Sequence, residues 1–181
     1  MKKENNVLYV LRLALTLLII AGVMAAALAG VNSVTAPIIE KLTYEKTQAA
    51  VSAVLPGGGD TVEFPPMDLV SKVYRGENGY AVEVTPSGFN NTITMMVGVD
   101  NAGAVTGISI IGHSETAGLG AVAAASTAAG ESFRSQFQGM TGSVSVSKDG
   151  GQVDAITSAT ITSRAVCAGI NAALDVVANM G

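Results

Sequence analysis

Thr92-Ile93-Thr94-Met95-Met96-Val97-Gly98-Val99-Asp100-Asn101-Ala102-Gly103-Ala104-Val105-Thr106-Gly107-Ile108-Ser109-Ile110-Ile111 reads as two strands joined by a short turn. β-Branched and other apolar residues fill both arms, and Asp100-Asn101-Ala102-Gly103 supplies residue types that accept turn conformations. Upstream, Tyr80-Ala81-Val82-Glu83-Val84 alternates apolar with smaller or polar residues. Leu69 to Tyr74 precedes it across the turn Gly76-Glu77-Asn78-Gly79. Strands this close in sequence pair antiparallel, because a parallel pair needs a crossover of a dozen residues or more. The expected centre is therefore an antiparallel meander.

Helical signals flank it. Ser163 to Asn179 is amphipathic, with Val166, Ile170, Ala173, Leu174 and Val177 facing inward. Between meander and helix, Ala121 to Gly130 reads as a weak alanine-rich helix and Val144 to Ser147 as a short strand. Asp149-Gly150-Gly151 is a turn. On the other side, a helical stretch starts with Thr35 as N-cap and Pro37 in its first turn. It stops at Pro56-Gly57-Gly58-Gly59. The fold class is α+β, an antiparallel sheet with flanking helices.

Ahead of all this, Leu13 to Val31 contains no charged residue. About 20 apolar residues in a helix span the hydrocarbon of a bilayer. Lys2, Lys3 and Arg12 precede the run, and the basic residues that follow most closely are Lys41 and Lys46. The positive-inside rule then leaves residues 1–12 as a cytoplasmic leader and 13–31 as a transmembrane helix. Residues 32–58 form a juxtamembrane helix and linker, and 59–181 an extracytoplasmic domain. Ala27-Leu28-Ala29 matches a signal-peptide cleavage site, but the apolar run exceeds the ~7–15 residues of a signal core.

Composition excludes several function classes. All but three of the ten basic residues and all but one of the fourteen acidic residues lie beyond the span, a net charge of −6 there. That balance opposes nucleic acid binding. The single cysteine, Cys167, has no partner for an internal disulfide, and one histidine with one cysteine makes no zinc site of the usual type. Cys167 reads as a small buried residue of the last helix.

Two segments carry chemistry. Asp154-Ala155-Ile156-Thr157-Ser158-Ala159-Thr160-Ile161-Thr162-Ser163 places hydroxyls among small and apolar residues just before the last helix. A helix N-terminus with free backbone N–H groups attracts anions, although Thr162 or Ser163 serving as a simple cap accounts for the spacing too. His113-Ser114-Glu115-Thr116-Ala117-Gly118-Leu119-Gly120 follows a strand directly, where ligand loops are often built. Leu119 offers an apolar face for a planar ring, and Thr116 with backbone N–H groups offers hydrogen bonds to a polar edge. An ordinary connection with an exposed histidine is the plain alternative.

Taken together, these segments resemble the FMN-binding domain family, in particular the G subunit of Rnf-type electron-transport complexes and the C subunit of the sodium-pumping NADH:quinone reductase. The family's attachment pattern is aspartate, two residues, serine or threonine, glycine, alanine, threonine; it corresponds to Asp154 through Thr160. Its His-x-Glu-Thr-Pro-Gly-Leu-Gly loop corresponds to His113 through Gly120. Val31-Asn32-Ser33-Val34-Thr35-Ala36-Pro37 and Gly79 to Pro86 extend the similarity over most of the chain. Ser158 stands in place of the usual glycine and Ala117 in place of the usual proline.

The resemblance implies FMN joined to Thr160 through a phosphodiester, put there by a separate flavin transferase that recognises Asp154. It implies a cofactor site of Asp154, Thr157, Ser158, Ala159, Thr160, Thr162, His113, Glu115, Thr116, Gly118, Leu119 and Gly120. The implied role is an electron carrier rather than a complete enzyme, working with other membrane subunits of an ion-translocating ferredoxin:NAD oxidoreductase. The partners would be those subunits, the transferase and membrane lipid, at a plasma or inner membrane. A stand-alone extracellular flavoprotein keeps the flavin without the complex. A non-redox anchored binding or assembly module would be colourless and indifferent to loss of Thr160.

Overall fold

The computed structural model describes residues 2–180, with side chains from Val7 onward; Lys2 and Lys3, used above for orientation, lie outside the described side chains. The chain divides into two units, residues 1–45 and 46–181. The first is helix α1, Lys2–Val54, which continues into the second. From Val7 on it is long and apolar enough to cross a membrane. Its large apolar side chains from Val7 to Leu42 are exposed on every side. A helix apolar all round needs lipid or protein about it.

The expected new helix start at Thr35 is absent. Pro37 lies inside α1, and Thr35 Oγ1 donates to Val31 O (2.8 Å) within the helix instead of capping a new one. Ser33 Oγ donates likewise to Gly30 O (2.8 Å). Backbonding of this kind lets hydroxyl residues sit inside a helix where water is scarce.

In the second unit, strands β1 (Asp60–Val62), β2 (Val70–Gly76), β3 (Gly79–Val84), β4 (Thr94–Asp100) and β5 (Val105–Gly112) form one antiparallel sheet in sequence order. The meander is as expected, with β1 as a short edge strand that sequence reading missed. Period-2 alternation splits its residues between two cores. Val73, Val82, Val84, Met95, Val97 and Val99 face one cluster, shared with α3 (Thr160–Met180). Tyr74, Ala81 and Met96 face the other, against Ala50, Val51, Val54 and Leu55 at the end of α1. Gly98 is needed for that second contact, because a Cβ there would collide with Val54 O. Thr106 Oγ1 donates to the same carbonyl (2.6 Å), satisfying one of the acceptors that a helix leaves free at its C-terminus.

All five inward residues expected for α3 are buried, and Ile170, Ala173 and Val176 have no exposure at all. Cys167 is buried among them, and desolvation pushes its thiol up to about 11. The alanine-rich segment differs from expectation. It forms a 3-10 turn over Gly120–Ala124, and helix α2 follows at Ala128–Ser135. The break falls where Arg134 Nη1 reaches back to Ala123 O (2.7 Å) and Ala125 O (3.0 Å). Val144 to Ser147 contributes only a single parallel bridge, Val146 to Val153.

Candidate functional site

Three segments enclose a cavity of about 280 Å3: Phe89 after β3, Glu115 to Gly120 after β5, and Ser158 to Thr162 at the start of α3. Glu115 holds them together. Its Oε1 accepts from Phe89 N (2.9 Å) and Asn90 N (3.2 Å), while Oε2 accepts from the Thr162 hydroxyl. The carboxylate is buried, and an ionised acceptor makes stronger bonds than a neutral one. Two glycines make room for it: a Cβ at Gly88 would strike Oε1 and one at Gly120 would strike Oε2. Asn90 Nδ2 adds a bond to Ser114 O (3.1 Å). Both Leu119 N and Ala121 N donate to Thr116 O (3.1 and 3.2 Å), curling the loop into the 3-10 turn.

The segment before α3 is fixed from two sides. Gln136 clamps the backbone of Asp154, its Oε1 accepting from Asp154 N (2.8 Å) and its Nε2 donating to Asp154 O (3.2 Å). The Asp154 side chain stays exposed. Ser163 is fully buried; its Oγ accepts from Ile156 N (3.0 Å) and donates to Ala159 O (3.0 Å). Neither Thr162 nor Ser163 is the helix cap that spacing allowed, because both lie inside the first turn of α3 and turn their hydroxyls inward. Ser158 has φ +62°, a left-handed conformation that glycine adopts without strain. Thr160 opens α3 half-buried, and its Oγ1 accepts a bond from Lys148 Nζ (3.2 Å).

The structure thus brings Glu115, Thr116, Leu119, Gly120, Ser158, Ala159, Thr160 and Thr162 to one cavity. His113, Gly118, Asp154 and Thr157 are not in its wall. His113 Nδ1 instead accepts from Glu115 N (3.3 Å), an internal brace for the loop. Sequence reading missed Phe89, Ile161 and Lys148. Phe89 and Asn90 lie between two strand candidates in a stretch that carries no motif, and partnership with Glu115 spans 26 positions. A larger cleft of about 760 Å3 lies by the β4–β5 turn and the far end of α3, walled by Asp100, Asn101 and Asp175 among others, and contains none of the motif residues.

The walls suit a flavin. Phe89, Leu119 and Ile161 are large apolar residues of this cavity left 63, 40 and 50% exposed, an arrangement expected where a planar apolar surface is to be covered. Thr116 provides a polar group among them, and Thr160 presents a hydroxyl at the edge. Acid–base chemistry of the protein's own has little to work with here, since the carboxylate in the wall is already bonded on both oxygens.

Comparison with known proteins agrees. Residues 88–175 match the FMN-binding domain family. The chain is 33% identical to the G subunit of the Na+-translocating ferredoxin:NAD+ oxidoreductase complex of Acetobacterium woodii, covering 94% of this chain and 93% of that one. It is 31% identical to the G subunit of an ion-translocating oxidoreductase complex of Methanosarcina acetivorans, covering 92% and 93%. The G subunit of the proton-translocating ferredoxin:NAD+ oxidoreductase complex of Clostridium ljungdahlii is 29% identical, with 97% and 94% covered.

Proposed function

Because the chain belongs to the family of G subunits of ion-translocating oxidoreductase complexes, we propose that it is the electron-transferring flavoprotein of such a complex, with FMN esterified to Thr160. The observation that carries this reading is the Thr160 hydroxyl at the edge of the apolar-rimmed cavity. Similarity over more than nine-tenths of both chains, N-terminal helix included, favours work within a complex over a stand-alone carrier. The other membrane subunits are then its partners, through the apolar surface of α1.

Attachment is an exchange on phosphorus carried out by a separate flavin transferase. Thr160 Oγ forms an O–P bond to the riboflavin-side phosphorus of FAD. The pyrophosphate O–P bond breaks, AMP departs with the bridging oxygen, and the hydroxyl proton is released. Exposed Asp154, with its backbone held by Gln136, is presented for recognition by the transferase. The diester keeps one negative charge beside the N-terminus of α3, where the helix dipole stabilises an anion by ~0.3–1 kcal/mol.

Bound there, the flavin supplies reversible electron uptake and release. The protein's residues fix and shield it. Phe89, Leu119 and Ile161 cover apolar surface, Thr116 offers a hydrogen bond, and Glu115 sets the spacing of the loops. The tether replaces a binding equilibrium by a fixed local concentration, which matters for a domain on the extracytoplasmic side, where the basic leader orients it.

Intact mass of the detergent-solubilised chain after co-expression with a flavin transferase tests the reading. One added FMN is expected in the wild type and none in Thr160→Ala. No added mass in the wild type beside an active transferase would remove the flavin reading and leave an anchored binding module.

A further inference from the structure

Lys148 projects from the 3-10 turn Ser147–Asp149 and places its ammonium 3.2 Å from Thr160 Oγ1. The turn is braced to the same helix that Thr160 opens. Arg164 donates from Nε (2.7 Å) and Nη2 (2.6 Å) to the two carboxylate oxygens of Asp149. The guanidinium holds that carboxyl below its usual range. Ser147 N donates to Val153 O (2.7 Å), and Gly150 closes the turn at φ +82°. With these bonds in place, Lys148 is not needed to dock the turn.

Its present partner is an odd one for a cation. A neutral hydroxyl compensates an ammonium poorly, and the neighbouring carboxylate is taken up by Arg164. Two arginines of the same unit are engaged elsewhere: Arg134 on the carbonyls of Ala123 and Ala125, Arg75 over the Tyr80 ring. Esterification of Thr160, on which this inference rests, changes what Lys148 meets. The phosphorus then sits one bond from Oγ1, and its non-bridging oxygens carry the negative charge.

We propose that Lys148 is the cationic positioning residue of the modification site, holding the Thr160 hydroxyl before transfer and pairing with the phosphodiester after it. Its bond to Oγ1 occupies a lone pair from the side of the turn and so restricts how the hydroxyl is offered. During transfer, charge builds on the phosphoryl oxygens beside Oγ1, where an ammonium already at hydrogen-bond distance stabilises it.

Rates of FMN attachment to the detergent-solubilised full chain, given purified flavin transferase and FAD, test the assignment by intact mass. Wild type, Thr160→Ala, Lys148→Met and Lys148→Arg are compared at low and high salt. Lys148→Met should be slower by about fivefold at low salt, the upper range for a solvent-exposed ion pair. Salt should slow the wild type toward the methionine variant, and Lys148→Arg should stay near wild type. Thermal stability of unmodified Lys148→Met should equal that of wild type, which a purely structural lysine would not allow. A wild-type rate in Lys148→Met overturns the assignment while leaving Thr160 as acceptor. An arginine variant as slow as the methionine one overturns it too. Absence of attachment in the wild type overturns the Thr160 reading and this inference together.

Discussion

Replacing Glu115 by alanine should be the most damaging single change at the cavity, and its cost can be worked out bond by bond. Three donors lose their acceptor: Phe89 N, Asn90 N and the Thr162 hydroxyl. The two amides belong to exposed residues, so water replaces most of what they lose. Thr162 is only 2% exposed, and a buried group left unsatisfied costs about 1–3 kcal/mol. The void where the carboxylate lay, between Gly88 and Gly120, adds ~1 kcal/mol. Together the loss is about 3 kcal/mol.

Glu115→Gln keeps one acceptor for the amides, and its NH2 can donate to Thr162 Oγ1 in place of accepting from it. That variant should lose about 1 kcal/mol, the worth of exchanging charged for neutral hydrogen bonds. Urea unfolding of the detergent-solubilised protein, read by tyrosine fluorescence, gives both numbers from midpoint and slope. Tyr74 and Tyr80 lie in the sheet and are 6% exposed, so they report on the domain. An alanine variant within ~0.5 kcal/mol of wild type, the range of ordinary surface substitutions, would show that the loops are held by something other than this carboxylate. Equal losses for alanine and glutamine would refute the view that acceptor geometry matters more than charge.

Two further substitutions probe the backbone. Gly98→Ala sets a Cβ against Val54 O and the Thr106 hydroxyl, so it should cost ~1–3 kcal/mol in the same urea assay; a neutral result would mean that the end of α1 sits less tightly on the sheet. Ser158→Gly removes a left-handed strain of ~1–2 kcal/mol for a residue with a side chain, offset by the ~0.5–1 kcal/mol of chain entropy that glycine loses on folding. A net gain of up to ~1.5 kcal/mol is expected, and a loss in the melting temperature would contradict it.

The sheet was readable because its signal is local. β3 carries an alternation of its own, β4 and β5 are β-branched and apolar runs, and the turns before β3 and between β4 and β5 announce themselves through glycine, asparagine and aspartate. α3 was readable for the same reason, from the spacing of Val166, Ile170, Ala173 and Leu174. The start at Thr35 failed because capping residues also sit inside helices when their hydroxyls bond back to the preceding turn. Eight of the ten residues around the cavity were visible as motifs, while Phe89 and Ile161, and Lys148 beside Thr160, were not. Nothing local marks Phe89 as the partner of a carboxylate 26 residues on, or a lysine in a polar turn as the neighbour of a threonine 12 residues later. Ile161 lies inside a motif, yet only the helix start shows it turned outward.

The first turn of α3 explains how one helix can serve both the core and the cofactor proposed for Thr160. Thr160 stands half-buried, Ile161 points out, and Thr162 and Ser163 point in. Thr162 then bonds Glu115 and Ser163 bonds Ile156 and Ala159, so the inward pair locks the loops on either side. Further along, Val166, Ile170 and Val177 anchor the same helix in the sheet. A group carried on Thr160 is therefore attached to a core element rather than to a mobile loop, although the hydroxyl itself is accessible. Electron transfer between fixed subunits needs a cofactor whose distance to its partners does not wander, and a site borne on a packed helix supplies that constraint. Accessibility of Thr160 to the proposed transferase and rigidity of its helix would thus be met together, because Ile161 and Thr162 face opposite ways on consecutive positions.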